Sequence, residues 1–130
     1  MMTRFIRFCI QPLHHSRPGA RVFDQLLDRA RSALRMGEIG QAEAFVMENG
    51  DAVWLSAPCL NLLGLIAESR GQWRRAWQMW SRSARKDRHY APAYQNLRRY
   101  FELYQFGRSH VLAAFGDEPQ FILMAQGVRT

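Results

Sequence analysis

Cysteine is scarce in this chain of 130 residues: Cys9 and Cys59 stand 50 positions apart with no others between or around them. That excludes a disulfide-dense scaffold and the paired spacing of a structural zinc site. Cys59, in an apolar helical context, reads as a buried free thiol, and a reducing, cytoplasmic setting is the default expectation. Long charge-free apolar runs are missing too. The longest, Asn49 to Glu68, is interrupted by Asp51 and contains Asn, Ser and Pro, so it is too polar and too broken for a spanning helix. There is no Gly-rich phosphate loop and no nucleophile elbow. His14 and His15 have no acidic or cysteine neighbours, His89 and His110 are isolated, and Glu38, Glu43 and Glu48 read as a solvated helix face. The expectation is therefore no metal site, no cofactor, no catalytic set and no enzyme.

Acid is absent from the first 23 residues, which carry four arginines and are broken by Pro12 and Pro18-Gly19. Residues 1–20 read as a basic flexible tail, an early start or an organelle presequence, and the domain as residues 21–130. Apolar residues make up 48% and charged residues 22%, the balance of one folded domain rather than a disordered chain. The net charge of +7 is uneven: residues 24–69 come to −4, whereas residues 70–108 carry ten basic groups against two acids. Such asymmetry speaks to partners, not to fold.

What the chain does have is self-similarity. Displaced by 34 residues, Ala57-Pro58 falls on Ala91-Pro92, Leu63 on Leu97, Gly71 on Gly37, Ala76 on Ala42 and Ala67 on Ala33, while Trp80 falls on Val46 and Gly64 on Ala30. Leu60, Leu63 and Ala67 form one face of a helix predicted from Ser56 to Arg70, with Ser56 as cap and Pro58 in the first turn. Gly64 leaves room for a neighbouring helix, and Gly71 ends the segment. Trp73, Ala76, Trp77 and Trp80 then mark a second helix to Lys86, their stripe facing inward, with Trp77 and Trp54 the two tryptophans expected to be partly exposed. Further helices are expected at Arg21–Met36, Ile39–Asn49, Ala91–Phe106 and, more weakly, Arg108–Phe115. A closing helix has Asp117 as cap, Pro119 in its first turn and an end at Gly127. Helices joined by two or three residues are antiparallel neighbours, and each pair must stack on the next to cover its apolar faces.

Leu60, Leu63, Gly64, Gly71, Ala76 and Trp80 resemble the leucine-glycine, turn and alanine-aromatic positions of the tetratricopeptide repeat, whose period is 34. The resemblance covers three repeats, about 23–56, 57–90 and 91–124. Arg29 stands where the first should have leucine, Arg98 replaces the packing glycine of the third, His110 replaces its small alanine, and Trp54 and Arg88 stand in place of the closing proline. Such departures suit end repeats. The resemblance implies an all-α fold: a short helical solenoid, a superhelix of antiparallel pairs, with a C-terminal capping helix. It also implies a concave groove lined by the first helix of each repeat, which holds a peptide or helix of another protein. Mapped onto this chain, the groove positions are Asp24, Leu27, Arg31 and Arg35 from the first repeat, Asn61, Leu65 and Glu68 from the second, and Gln95, Arg99 and Glu102 from the third. They do not form the two-lysine, two-asparagine clamp that chaperone-binding members use.

Two functions are expected in order of preference. The first is a non-enzymatic protein-interaction scaffold or adaptor, on its own or as one subunit of a larger complex, with dimerisation through an uncapped end as a further expectation. The second is a basic nucleic-acid accessory protein using Arg70, Arg74, Arg75, Arg82, Arg85, Lys86 and Arg88, of which Arg75, Arg82 and Lys86 share one side of a helix. Counting against the second, no RNA-module signature is present and the tryptophans are assigned to the core.

Overall fold

A computed structural model describes residues 18–48 and 56–125, and these contain six helices and no strands. They are α1 (Pro18–Arg35), α2 (Ile39–Met47), α3 (Ala57–Ser69), α4 (Trp73–Lys86), α5 (Ala91–Phe106) and α6 (Pro119–Ala125). Most of the basic tail, Trp54, and the expected helix ends at Asn49 and Gly127 lie outside the described residues. None of the described helices is long and apolar enough to cross a membrane.

Local chemistry sets the boundaries. Helix α1 opens at Pro18, inside the segment expected to be tail, because a proline is tolerated where the helix has no N–H partner to lose. Ser56 caps α3, its hydroxyl accepting from the Cys59 N–H at 3.4 Å, with Pro58 in the first turn. The turns that close α1 and α3 are the same motif, 34 residues apart. Gly37 and Gly71 adopt φ of 80° and 75°. Each donates three residues back, Gly37 to Leu34 and Gly71 to Glu68. The residue after each donates five back, Glu38 to Ala33 and Gln72 to Ala67. Left-handed backbone at this point satisfies the last helical carbonyls and reverses the chain.

Consecutive helices from α1 to α5 pack against each other, and α3 also touches α1 and α5. Helix α3 is the hub: Ala57 and every residue from Cys59 to Ala67 are buried. Its centre is the seat of Trp80. That indole is fully buried against Gly64, where an added Cβ would overlap the ring, and its Nε1 donates to the Asn61 carbonyl at 3.2 Å. The fit fulfils the expectation that Gly64 admits a neighbouring helix. Ser83 Oγ, also buried, donates to the Ala57 carbonyl at 2.7 Å and ties α4 to the start of α3. Cys59 is a buried free thiol, and burial raises its pKa.

Two expectations are corrected. Residues 108–115 form no helix: after Gly107 the chain runs without helix to Glu118. At the position equivalent to Gly64 stands Arg98, and at that of Trp80 stands Ala114, so α5 has neither the gap nor the ring that seats a second helix. The inward stripe of α4 is also narrower than expected. Trp80 is enclosed and Trp77, as expected, is partly exposed at 45%, but Trp73 is 40% exposed as well.

Candidate functional site

What residues 108–118 do instead defines a buried polar surface built on Asn61 and Asn96. They run back across α5, α3 and α1, and the first helices hold them by their main chain. Gln95 Nε2 donates to the Leu112 carbonyl at 2.8 Å. Asn96 takes both sides of one residue: its Oδ1 accepts from the Ala114 N–H at 2.9 Å and its Nδ2 donates to the Ala114 carbonyl at 2.8 Å. Asn61 Nδ2 donates to the same carbonyl at 2.9 Å, and its Oδ1 accepts from Asn96 at 2.8 Å. Arg31 Nε donates to the Phe115 carbonyl at 2.9 Å. Asn61, Asn96 and Ala114 are all fully buried. An extended stretch of backbone has donors and acceptors it cannot satisfy internally, and buried ones must be paired. Four amide or guanidinium side chains on three helices, Arg31, Asn61, Gln95 and Asn96, supply those partners.

Charge finishes the arrangement at the α1 end. Arg35 grips Asp117 with both terminal nitrogens, at 2.8 and 2.6 Å, approaches Glu118 at 3.4 Å, and lies over the Phe115 ring at 4.2 Å. The Arg35 guanidinium holds the Asp117 carboxyl below its ordinary range, and Asp117 in turn raises Arg35. Glu118 accepts from the Phe115 and Gly116 N–H groups, both at 2.8 Å. Gly116, at φ 106°, is pressed on the Tyr90 hydroxyl, from which an added Cβ would lie 2.5 Å. At the other end Ser109 donates to Glu102 at 2.8 Å, and with Arg98 it lowers the Glu102 pKa.

Of the ten expected groove residues, Arg31, Arg35, Asn61, Gln95 and Glu102 meet on this surface and all touch residues 109–118. Glu68 and Arg99 pair with each other, bridging α3 and α5, with the Arg99 guanidinium 5.6 Å from the Trp80 ring centre. Asp24 is exposed. Leu27 and Leu65 are corrections: both are core residues, 4% exposed, since each lies on the helix edge that faces the neighbouring helix. Asn96 was missed in favour of its neighbour Gln95. Its signal was a second asparagine inside an otherwise apolar-faced helix, 35 residues after Asn61. Beside the held segment remains an open cleft of about 830 Å³, lined by Arg35, Gln95, Arg98, Glu102, His110 and the largely exposed Leu112, among others.

The basic set lies elsewhere. Arg70 pairs with Glu43 at 2.9 Å and lowers its pKa. Arg74, Arg75, Arg85, Lys86 and Arg88 are exposed and Arg82 is half-buried, and none of these six joins an ion pair among the described residues. No group of three or more His, Cys, Asp or Glu among the described residues is placed to hold a metal ion. No family model matches the chain, and neither the curated proteins nor the solved structures yield a match.

Proposed function

We propose that this chain is a non-enzymatic interaction module: a tetratricopeptide-like stack whose first helices hold a segment of another protein along one concave face. The observation that carries this proposal is the use of that face within the chain itself. Residues Arg31, Asn61 and Asn96, on three successive first helices, bind extended polypeptide through main-chain atoms, a mode that is tolerant of sequence. The segment 109–118 forms one wall of the groove, and the partner lies in the cleft beside it. There the exposed Leu112 offers an apolar contact and the exposed His110 a polar one, while Arg35 and Arg98 are already paired with Asp117 and Glu102.

A photo-crosslinking amino acid at position 112, introduced into the full chain and expressed in its native cell, tests the site. The expected result is a discrete crosslinked partner whose attachment point is an extended stretch carrying an apolar side chain. The same partner should be lost from a variant carrying Leu112→Asp with Arg98→Glu. A partner that is retained by that variant and never crosslinks from position 112 would place the interaction off this face.

A further inference from the structure

The outward face of α4 is built from different materials. In 14 residues α4 carries five cations and no acid. Its buried stripe is Ala76, Met79, Trp80, Ser83 and Ala84. The opposite stripe, at helical spacing, therefore runs Arg74, Trp77, Ser81 and Arg85. Trp77 stands 45% exposed within that row. At the edge toward α5 the rings continue: Trp73 meets Tyr100 with centroids 6.2 Å apart, and Tyr100 lies parallel to Tyr104 at 6.5 Å and 11°. With Leu103 these three rings line an apolar cleft of about 290 Å³, and Tyr104 is 80% exposed. Among the described tryptophans only Trp80 is enclosed in the core, so the argument that the tryptophans are taken up by packing does not extend to Trp73 and Trp77.

The surrounding acids leave the field positive. Glu43 is tied to Arg70, Glu68 to Arg99 and Glu102 to Arg98. Asp87, at the far end of α4, accepts from the His89 N–H. Arginine among aromatic rings also occurs at protein interfaces; what sets this face apart is five cations with no acid on one helix, guanidinium groups alternating with the rings. Alternation of flat π faces with unpaired cations suits a polymer that alternates bases with phosphates.

We propose that this face binds single-stranded nucleic acid. Bases stack on Trp77 and enter the cleft formed by Trp73 and Tyr104, and phosphates contact Arg74 and Arg85. A duplex would present the charge but hide the base faces, so the single strand is the better ligand, with little preference for sequence. The site shares no residue with the cleft beside the held segment and does not depend on the groove's role.

Fluorescence anisotropy of the full chain with labelled 15-mers of oligo(dT) and oligo(U), and with a 15-base-pair duplex, provides the test. The 15-mers should bind more tightly than the duplex and quench tryptophan emission. With one phosphate held at each of the two arginines, affinity should fall roughly 7-fold between about 50 and 200 mM salt. Trp77→Ala and Tyr104→Ala, both at exposed positions and checked for intact helicity, should each weaken binding roughly 5- to 100-fold, whereas Tyr104→Phe should not. Arg74→Glu with Arg85→Glu should abolish it. Absence of binding at 50 mM salt would overturn the proposal, as would equal affinity for the duplex and for the aromatic variants. So would a dimer, detected by sedimentation, that Trp77→Ala dissolves, because the rings would then serve a second copy.

Discussion

The middle helix pair and the unit that follows it start from the same pattern and finish as different structures. In the middle pair, Gly64 on α3 opens a seat and Trp80 on α4 fills it completely. One period later the seat is closed by Arg98, which points to water and pairs with Glu102 at 3.0 Å, and the ring is replaced by Ala114. A second helix there would have nothing to bury. The chain instead crosses the first helices as a non-helical segment, and the amides of Asn61 and Asn96 replace hydrogen bonds a helix would have made for itself. One small–large pair thus decides whether a unit closes through apolar packing or through polar capture of backbone.

The sharpest way to break the comparison is at the seat. Gly64→Leu drives a side chain into the Trp80 ring, with no flexible neighbour to yield, and should cost about 3 kcal/mol or more, the upper end for overpacking. Arg98→Leu, the equivalent position one period on, should shift stability by no more than about 0.5 kcal/mol. Thermal melts followed by far-ultraviolet circular dichroism compare the two directly. Equal melting of Gly64→Leu and parent would mean that Trp80 is not seated there.

Next in size is the polar capture. Asn96→Ala strips partners from the Ala114 N–H and carbonyl, both buried, and should cost roughly 1–3 kcal/mol. Its effect should be local. Amide exchange should accelerate at 112–118 and remain unchanged in α3 and α4. Unaltered protection of the Ala114 amide would show that the segment is held by something other than this side chain.

How much of this was legible follows from the kind of force at each place. Gly37 and Gly71, Ser56, Pro58 and the Gly64–Trp80 seat could be read because each obeys a local or one-period rule that residue type alone satisfies. The end of α5 was legible at Phe106, where Gly107 takes φ 75°. The return of residues 108–118 was not. Ser109 to Phe115 contains enough apolar residues to suggest a helix, and its real course depends on Asn61, Asn96 and Arg31, which are 18 to 84 positions away. Leu27 and Leu65 were misplaced for a related reason. A repeat register locates the helix face to within one position, and one position separates groove from core. Trp73 and Trp77 escaped the core because Ala76, Met79 and Trp80 already fill the contact with α3.

A smaller effect is expected at the acidic end of the captured segment. Arg35 depresses the Asp117 pKa below 3.8, so its contribution is present above that pH and is lost as pH falls through the lowered value. Both partners are about one-third or more exposed, so Asp117→Asn should cost less than about 1 kcal/mol. Acidification below about pH 4 should loosen 115–118 before it disturbs α3 and α4, a sequence that residue-resolved chemical shifts can follow. Simultaneous loss of both regions would erase the distinction between them.

The smallest effect is expected where the two kinds of unit touch. Tyr90, between α4 and α5, buries its hydroxyl beneath Gly116 without a hydrogen-bond partner, and burial lifts its pKa from 10.0 to about 12, with Arg31 pulling the other way. The folded chain therefore keeps a proton that the unfolded chain releases above pH 10. Stability is fully present below that pH and is lost as pH rises toward 12. Tyr90→Phe removes both the unpaired hydroxyl and the titration. At pH 7 it should leave stability unchanged or raise it by up to about 1 kcal/mol, because a buried polar atom without a partner contributes only its desolvation cost. Urea unfolding at pH 7 and pH 11 should show the parent losing more between the two than the variant does. A loss of more than about 1 kcal/mol at pH 7 would mean that the hydroxyl is bonded after all, with Arg31 the nearest donor. The contact under Gly116 would then belong to the same polar capture that holds Ala114, rather than to the apolar packing of the middle pair.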